Sequence, residues 1–228
     1  MLRKLCGIVG RYHAYFRLRA KELGRIAGQE ILLVSTSFLP RLTLLVPKHG
    51  FYAYALIDEP LTVEFIKSYF SRGMKFIDVG AGVGTYSILA AKFGCKVTAF
   101  DPETLCYILT KLNCELNDVQ VSARKVAVGD YSSFSSISYI RLDDLEVIPD
   151  IIEIDVDGDE FLVVESGKRI LGNVKMIVIE LRPSTFYNVH KVLKSLGFKP
   201  IFVERLCQQT TLLRLYVKPN DFNVIYSR

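Results

Sequence analysis

Three glycines and two aspartates carry the clearest chemistry in the sequence. The run Phe76-Ile-Asp-Val-Gly-Ala-Gly-Val-Gly-Thr-Tyr86 sets glycines at 80, 82 and 84 between a short apolar stretch and a helical pattern. Glycine turns tightly and lets a ligand approach the backbone. Asp78 stands two residues before the first glycine, and Asp101 ends the next apolar stretch, Val97 to Phe100. A carboxylate after a second strand can accept both hydroxyls of a ribose, the role an acid plays about 20 residues beyond a glycine loop in dinucleotide folds.

Two nucleoside ligands compete for such a loop. A dinucleotide site reads G-x-G-x-x-G and seats pyrophosphate on a helix N-terminus. Here the spacing is G-x-G-x-G. Asp78 would also oppose a phosphate by about 4 kcal/mol at 4 Å and an effective dielectric near 20. A cationic ligand avoids that repulsion. The loop therefore predicts S-adenosylmethionine, with its sulfonium and ammonium groups, over NAD. The expected cofactor contacts are Asp78, Gly80, Ala81, Gly82, Gly84, Thr85, Tyr86, Asp101 and Pro102. Ala127 and Val128, in Ala127-Val-Gly-Asp130, are expected to border the adenine. Asp155 is expected to touch both cofactor and acceptor.

A second group of acids is Asp155, Asp157, Asp159 and Glu160. Crowded carboxylates raise one another's pKa and approach the range of a useful base. Asp155 is the first candidate to orient an acceptor or take its proton, with Asp157 and Glu160 next. Two other uses of the cluster stay open. Acids stabilise a helix N-terminus, and hard oxygens suit a divalent cation. No obligatory metal is expected. Glu180 is a candidate for the same cleft, and His190 is read as a helical residue without a catalytic partner.

These side chains need a framework, and the hydrophobic pattern predicts one. Strands are expected at Lys75 to Val79, Val97 to Phe100, Val121 to Val128, Ile151 to Ile154 and Met176 to Glu180. Helices are expected at Leu61 to Phe70, Tyr86 to Phe93, Leu105 to Leu116, Glu160 to Leu171 and Val189 to Leu196. Strands alternating with helices of about 10 residues imply an α/β fold with a mostly parallel, doubly wound, Rossmann-like sheet. Phe198 to Val203 and Leu212 to Val217 are expected to close it as an antiparallel pair at the edge. A polar Ser-rich loop fills 130–138. Residues 1–58 read as an extension to a main domain over 59–228. It holds an amphipathic helix at 11–27 and two or three short strands at 31–57, with turns at Pro40-Arg41 and Pro47-Lys-His-Gly50.

Composition excludes several classes. The 228 residues are 50% hydrophobic and 23% charged, an ordinary globular balance. No apolar run reaches the roughly 18 residues of a spanning helix, and no signal-peptide pattern opens the sequence. Five scattered cysteines without a C-x-x-C pair argue against disulfide and zinc frameworks, and predict a reducing cytoplasm. The net charge is +5. The excess lies early: Arg3, Lys4, Arg11, Arg17, Arg19, Lys21 and Arg25 are opposed before residue 26 only by Glu22. That face can meet RNA, anionic lipid or another acidic partner, or remain a solvated surface.

The sequence also resembles the FkbM family of methyltransferases. The matching pieces are Glu59-Pro60, Thr62-Val-Glu-Phe-Ile66, the glycine loop, Ala99-Phe-Asp-Pro102, Leu112-Asn113 and Leu116-Asn117. Val126-Ala-Val-Gly-Asp130, Leu142-Asp-Asp-Leu145, Ile154-Asp-Val-Asp-Gly-Asp-Glu160 and Ile177-Val-Ile-Glu-Leu181 continue the likeness over about residues 59 to 200. The family more often has Asn near Val83, and Glu in place of Asp101 and of Asp157. The resemblance implies O-methylation of a sugar or other small hydroxylated metabolite. The basic N-terminal helix motivates a second expectation, an RNA methyltransferase. The Asn-Pro-Pro-aromatic motif of many base-methylating enzymes is lacking. A non-catalytic cofactor-binding module is the third.

Overall fold

A computed structural model describes residues 2–28, 30–36, 40–48, 59–132, 138–205 and 221–228. Its centre is a sheet built from β3 (Lys75–Val79), β4 (Lys96–Phe100), β5 (Ser122–Arg124), β8 (Ile151–Ile154), β9 (Met176–Leu181), β10 (Lys199–Arg205) and β11 (Phe222–Ser227). The order is β10-β11-β9-β8-β3-β4-β5. The five strands from β9 to β5 are parallel. β11 runs antiparallel to both its neighbours. Short strands β6 (Ala127–Val128) and β7 (Tyr139–Ile140) form a separate parallel pair.

The central strands are apolar on both faces, as a parallel sheet covered on both sides requires. Phe76, Val97, Ile151, Val178 and Ile225 join one core with α2 (Pro60–Lys67), α3 (Thr85–Lys92) and α4 (Thr104–Leu116). Ile77, Val79, Ile152, Ile154, Ile177 and Ile179 join the other. That core is closed by α5 (Glu160–Glu165), α6 (Lys168–Leu171) and α7 (Pro183–Ser195). The fold is thus the expected α/β, doubly wound sheet. The chain leaves β3 towards β4 on one side and reaches β8 on the other. The carboxyl ends of β3 and β8 therefore form the switch point, where open α/β sheets bind ligands.

The preceding segment is tied to this body. Helix α1 (Leu2–Ala27) buries Phe16, Ala20 and Leu23 in the first core, beside the hairpin of β1 (Ile31–Ser35) and β2 (Thr43–Pro47). Two side-chain amides, Asn113 of α4 and Asn117 at its C-cap, act as the hairpin's next strand. Asn113 accepts from Leu45 N at 2.6 Å and donates to Leu45 O at 3.0 Å. Asn117 does the same for Thr43, at 3.0 and 2.7 Å. Sequence pattern alone starts α1 at residue 11, nine residues late. Part of the expected strand region, 49–58, lies outside the described residues.

Four further boundaries differ from expectation. The stretch Val121 to Val128 is two strands: Ser122–Arg124 stays in the sheet, while Ala127–Val128 turns away and Val128 packs under α5. The helix expected over 160–171 is broken at Ser166-Gly167. A Cβ on Gly167 would meet Leu142 Cδ2 at 2.3 Å, so the turn at Leu142–Asp144 packs into the break. Asp143 of that turn accepts from Arg169 N and Ile170 N at 3.1 and 2.8 Å. Helix α7 starts at Pro183, whose fixed φ suits a first helical turn. The closing antiparallel pair uses Phe222–Ser227 and enters the sheet between β9 and β10, while Leu212 to Val217 lies outside the described residues.

Candidate functional site

The glycine loop leaves β3 at the switch point in the conformation its residues allow. Gly80, Gly82 and Gly84 have φ of 92°, 54° and 86°, values that cost a side-chain-bearing residue about 1–2 kcal/mol. Gly80 has a second constraint. A Cβ there would lie 1.7 Å from Asp155 O, so the loop after β3 and the loop after β8 touch through bare backbone. The amides of Gly80 and Ala81 donate to Phe100 O at 2.9 and 3.0 Å, which docks the loop on the end of β4. From α4, Thr110 Oγ1 donates to Gly82 O and Asn113 Nδ2 to Val83 O, both at 2.9 Å. The sequence reading gave neither residue a place in the loop.

Asp101 belongs to the loop as much as to β4. Its Oδ2 accepts from Gly82 N at 2.9 Å and its Oδ1 from Glu103 N at 2.8 Å. Burial lifts its carboxyl to about 6, against those two hydrogen bonds and with help from the charges of Glu103 and Asp78. Pro102 is exposed beside it, and Ala81 is half-buried.

Asp78 is placed differently from the expectation that it faces the ligand. It is 1% exposed and accepts from Ser87 Oγ of α3 at 2.5 Å. Glu153 stands directly across from it on β8 and shares a hydrogen bond with it. Burial raises both carboxyls, and the charges of Asp78 and Asp155 push Glu153 further. Asp78 lies on the face of the sheet that α3 covers, because side chains alternate along β3 and Phe76 shares its side. Its carboxylate braces the first turn of α3.

Thr85 and Tyr86 are buried at the start of α3. The Tyr86 hydroxyl donates to Glu59 Oε2 at 2.6 Å, and Asn223 Nδ2 of β11 donates to the same oxygen at 2.7 Å. Glu204 of β10, opposite Asn223, accepts from Leu61 N and Thr62 N at the start of α2, at 3.1 and 2.6 Å. An anion at an N-terminal turn is the stabilising arrangement. Asn223, Glu204 and Glu153 escape the sequence reading, and Glu59 enters it only as part of the family resemblance. Glu153 was visible as the one acid in an otherwise Ile-only strand.

The acceptor candidates gather at the next strand ends. Asp155, Asp157 and Glu180 each bring a carboxylate oxygen to within 4.8 Å of the others. Such a triad has the hard oxygens a divalent cation takes. Asp157 has φ 57° and accepts from Arg182 Nη2 at 3.1 Å. Arg182 also lies 3.5 Å from Asp221 through Nε. Glu160 turns back on its own loop and accepts from Gly158 N at 2.6 Å, and its buried Oε2 has no hydrogen-bond partner among the described residues. Asp159 receives the Tyr131 hydroxyl at 3.0 Å. Glu180 is buried, and its carboxyl is pushed up to about 10, first by burial and then by the charges of Asp155, Glu59, Asp221 and Glu160.

Other candidates fall elsewhere. Val128 is part of the α5-side core, and Ala127 is buried next to it. Asp130 pairs with Arg141. His190 Nδ1 meets the Tyr226 hydroxyl at 3.1 Å, and its ring stacks on Phe186, so it serves packing. No helix among the described residues is long and apolar enough to cross a membrane.

Comparison with known proteins agrees with this geometry. Residues 60–139 match the family model described as ribosomal protein L11 methyltransferase (PrmA). That span holds α2, the glycine loop, Asp101 and α4. A ribosomal protein L11 methyltransferase of Campylobacter lari is 43% identical over 68 residues, which are 29% of this chain and 23% of that protein. The curated relatives it matches are covered over 21–25% of their length. Among solved structures, the Pyrococcus abyssi tRNA (uracil-54, C5)-methyltransferase in complex with S-adenosyl-L-homocysteine superposes with a TM-score of 0.58. The identity is 20%, covering 85% of this chain and 43% of that one. A ribosomal protein L11 methylase of Lactobacillus delbrueckii subsp. bulgaricus superposes with a TM-score of 0.51 at 15% identity, covering 74% and 87%. The fold is the Rossmann-like fold of S-adenosylmethionine-dependent methyltransferases. The family model that matches, over residues 60–139, is that of the L11 methyltransferases, and the curated relatives named above carry the same name rather than that of the FkbM family.

Proposed function

We propose that the chain is an S-adenosylmethionine-dependent methyltransferase and that its acceptor is RNA. The observation that carries the donor assignment is the switch point itself. A glycine loop that admits no Cβ at residue 80 lies against the backbone of Asp155, whose carboxylate clusters with those of Asp157 and Glu180, with Asp101 at the adjoining strand end. Crowded buried acids repel phosphate and favour a cation, so the residues fit a sulfonium nucleoside better than a dinucleotide.

When bound, the donor supplies a methyl group made electrophilic by its sulfonium. Asp101 is assigned to the ribose hydroxyls. The amides of the loop from Gly80 to Gly84, with Ala81, Thr85, Tyr86 and Pro102 around them, are assigned to the rest of the nucleoside. Asp78 acts beneath the loop, by holding α3 through Ser87. Asp155 is assigned to orient the acceptor and accept its proton, with Asp157 and Glu160 shaping its loop. Their contribution is alignment at near-attack distance, often the larger part of such catalysis.

RNA is favoured as the acceptor because the relatives and neighbours are named for ribosomal protein and tRNA substrates, and because the chain's positive charge is gathered on one helix. A ribosomal protein is the second reading, favoured by the local L11 methyltransferase match. The four curated relatives are named for ribosomal protein L11 and not for the small hydroxylated acceptor that the FkbM resemblance implies. Calorimetric titration with S-adenosylhomocysteine and with NAD tests the donor: only the first is expected to bind, and NAD binding alone overturns the proposal. Transfer of a radiolabelled methyl group to total RNA, ribosomal protein and a panel of hydroxylated metabolites tests the acceptor. Label in protein or metabolite but not in RNA removes the acceptor assignment.

A further inference from the structure

We infer that the exposed face of α1 is an RNA-backbone docking surface; this rests on the RNA reading above. Residues 2–27 hold seven Lys and Arg against one acid, Glu22, so this helix carries a net +6 in a chain whose total is +5. The rest of the chain is nearly neutral. The basic character is a property of one element.

Over residues 15–28 the geometry presents its charge outward. Phe16, Ala20 and Leu23 are buried in the core. Arg17, Lys21 and Arg25 are exposed and follow one another at intervals of four, so they form a line with about 6 Å of rise between successive charges. Arg19 pairs with Glu22 at 3.1 Å and stands apart from the line. Among the described residues, no acid pairs with the other three. A row of separated cations on a rigid rod matches the regular charge of a nucleic-acid backbone.

The same arrangement disfavours a membrane surface. An interfacial helix inserts an apolar face opposite its basic one. Over residues 15–27 the apolar stripe of Phe16, Ala20 and Leu23 is already buried against the protein's own core. Leu18 and Ile26 are exposed, but Glu22 lies between them at the same helical spacing. Tyr15, also exposed, can stack on an unpaired base.

The test uses the full chain and a triple variant, Arg17→Gln with Lys21→Gln and Arg25→Gln. Binding to total RNA is followed by anisotropy across a salt series. The variant is expected to bind at least tenfold more weakly at low salt. The slope of log K against log salt should flatten by about 2, since each contact to a single strand contributes about 0.7. Arg17→Lys with Arg25→Lys should keep the wild-type slope. Binding of S-adenosylhomocysteine, unchanged in both variants, shows that they are folded. An unchanged slope in the triple variant, while wild type methylates RNA, removes α1 as the docking surface and leaves the RNA reading intact. Absence of RNA binding by wild type removes both. Loss of binding to phosphatidylserine vesicles with RNA binding retained assigns the face to lipid and overturns the inference.

Discussion

The two strand ends that meet at the switch point treat their acids in opposite ways. On the β3–β4 side, carboxylates are supplied with donors. Ser87 serves Asp78, and the amides of Gly82 and Glu103 serve Asp101. Each of these bonds also fixes the loop or the helix that follows it, so the donor side is held in shape by its own acids. On the β8–β9 side, Asp155, Asp157 and Glu180 crowd together. Arg182 answers Asp157 from 3.1 Å, and Glu180 keeps its proton up to about 10. The contrast separates two kinds of preparation: geometry built ahead of the ligand on one side, and an electrostatic demand for positive charge on the other.

The sharpest way to break the comparison is at the one residue both sides share. Gly80→Ala places a Cβ where Asp155 O stands, at 1.7 Å, and adds the strain of φ 92°. One loop must move off the other. The expected cost is about 3 kcal/mol or more in urea unfolding, with S-adenosylhomocysteine binding lost in calorimetry. Gly73→Ala is the control, since it has φ 86° but nothing within 4 Å. It should cost only about 1–2 kcal/mol and leave binding intact. Equal effects for the two would mean that contact between the loops is unimportant.

The donor side was also the legible side. Glycines at 80, 82 and 84 have few uses after a buried strand, and Asp101 ends a strand plainly marked by Val97 to Phe100. What the pattern could not place was direction. Asp78 lies on the covered face because strand alternation pairs it with Phe76, and the hydroxyl of Tyr86 donates to Glu59, a partner that local spacing does not announce. Glu59, Glu204 and Asn223 meet through contacts spanning more than a hundred residues of sequence, which no local spacing encodes. Leu142-Asp-Asp-Leu145 had only its resemblance to recommend it. In the fold Leu142 fills the gap at Gly167 and Asp143 bonds the first amides of α6. Asn113 of α4 and its C-cap Asn117 likewise pair with β2 because they lie one helical turn apart, a spacing common to countless helices.

A smaller effect is expected from Asp101, and it carries a pH signature. Asp101→Asn keeps size and removes the charge, and should weaken S-adenosylhomocysteine about tenfold or more, since hydrogen bonds to charged groups contribute about 1.5–3 kcal/mol. In the wild type the carboxyl titrates at about 6. If the ionised form is the one that holds ribose, affinity should fall about tenfold from pH 7 to pH 5, and the Asn variant should lose this dependence. Stability runs the other way. The folded protein binds the Asp101 proton more tightly than the unfolded chain does, so this residue's contribution to stability declines as pH rises from about 4 to about 6. A wild-type affinity that stays flat from pH 7 to pH 5 would remove Asp101 from the ribose site.

Glu180→Gln should have the smallest effect on the empty protein and the most specific one on the ligand. Glu180 is already protonated at neutral pH, and a neutral amide of similar shape replaces a neutral acid. Stability at pH 7 should change by less than about 1 kcal/mol. A sulfonium nearby lowers the carboxyl's pKa by simple attraction. Binding S-adenosylmethionine at about pH 9, just below the carboxyl's value of about 10, should therefore release protons, seen as an apparent enthalpy that varies with the ionisation enthalpy of the buffer. S-adenosylhomocysteine, whose sulfur is neutral, should release fewer. In Glu180→Gln the difference between the two ligands should shrink. If the two ligands release the same number of protons from the wild type, the crowded acids of β8 and β9 are not reading the donor's charge, and their role lies with the acceptor alone.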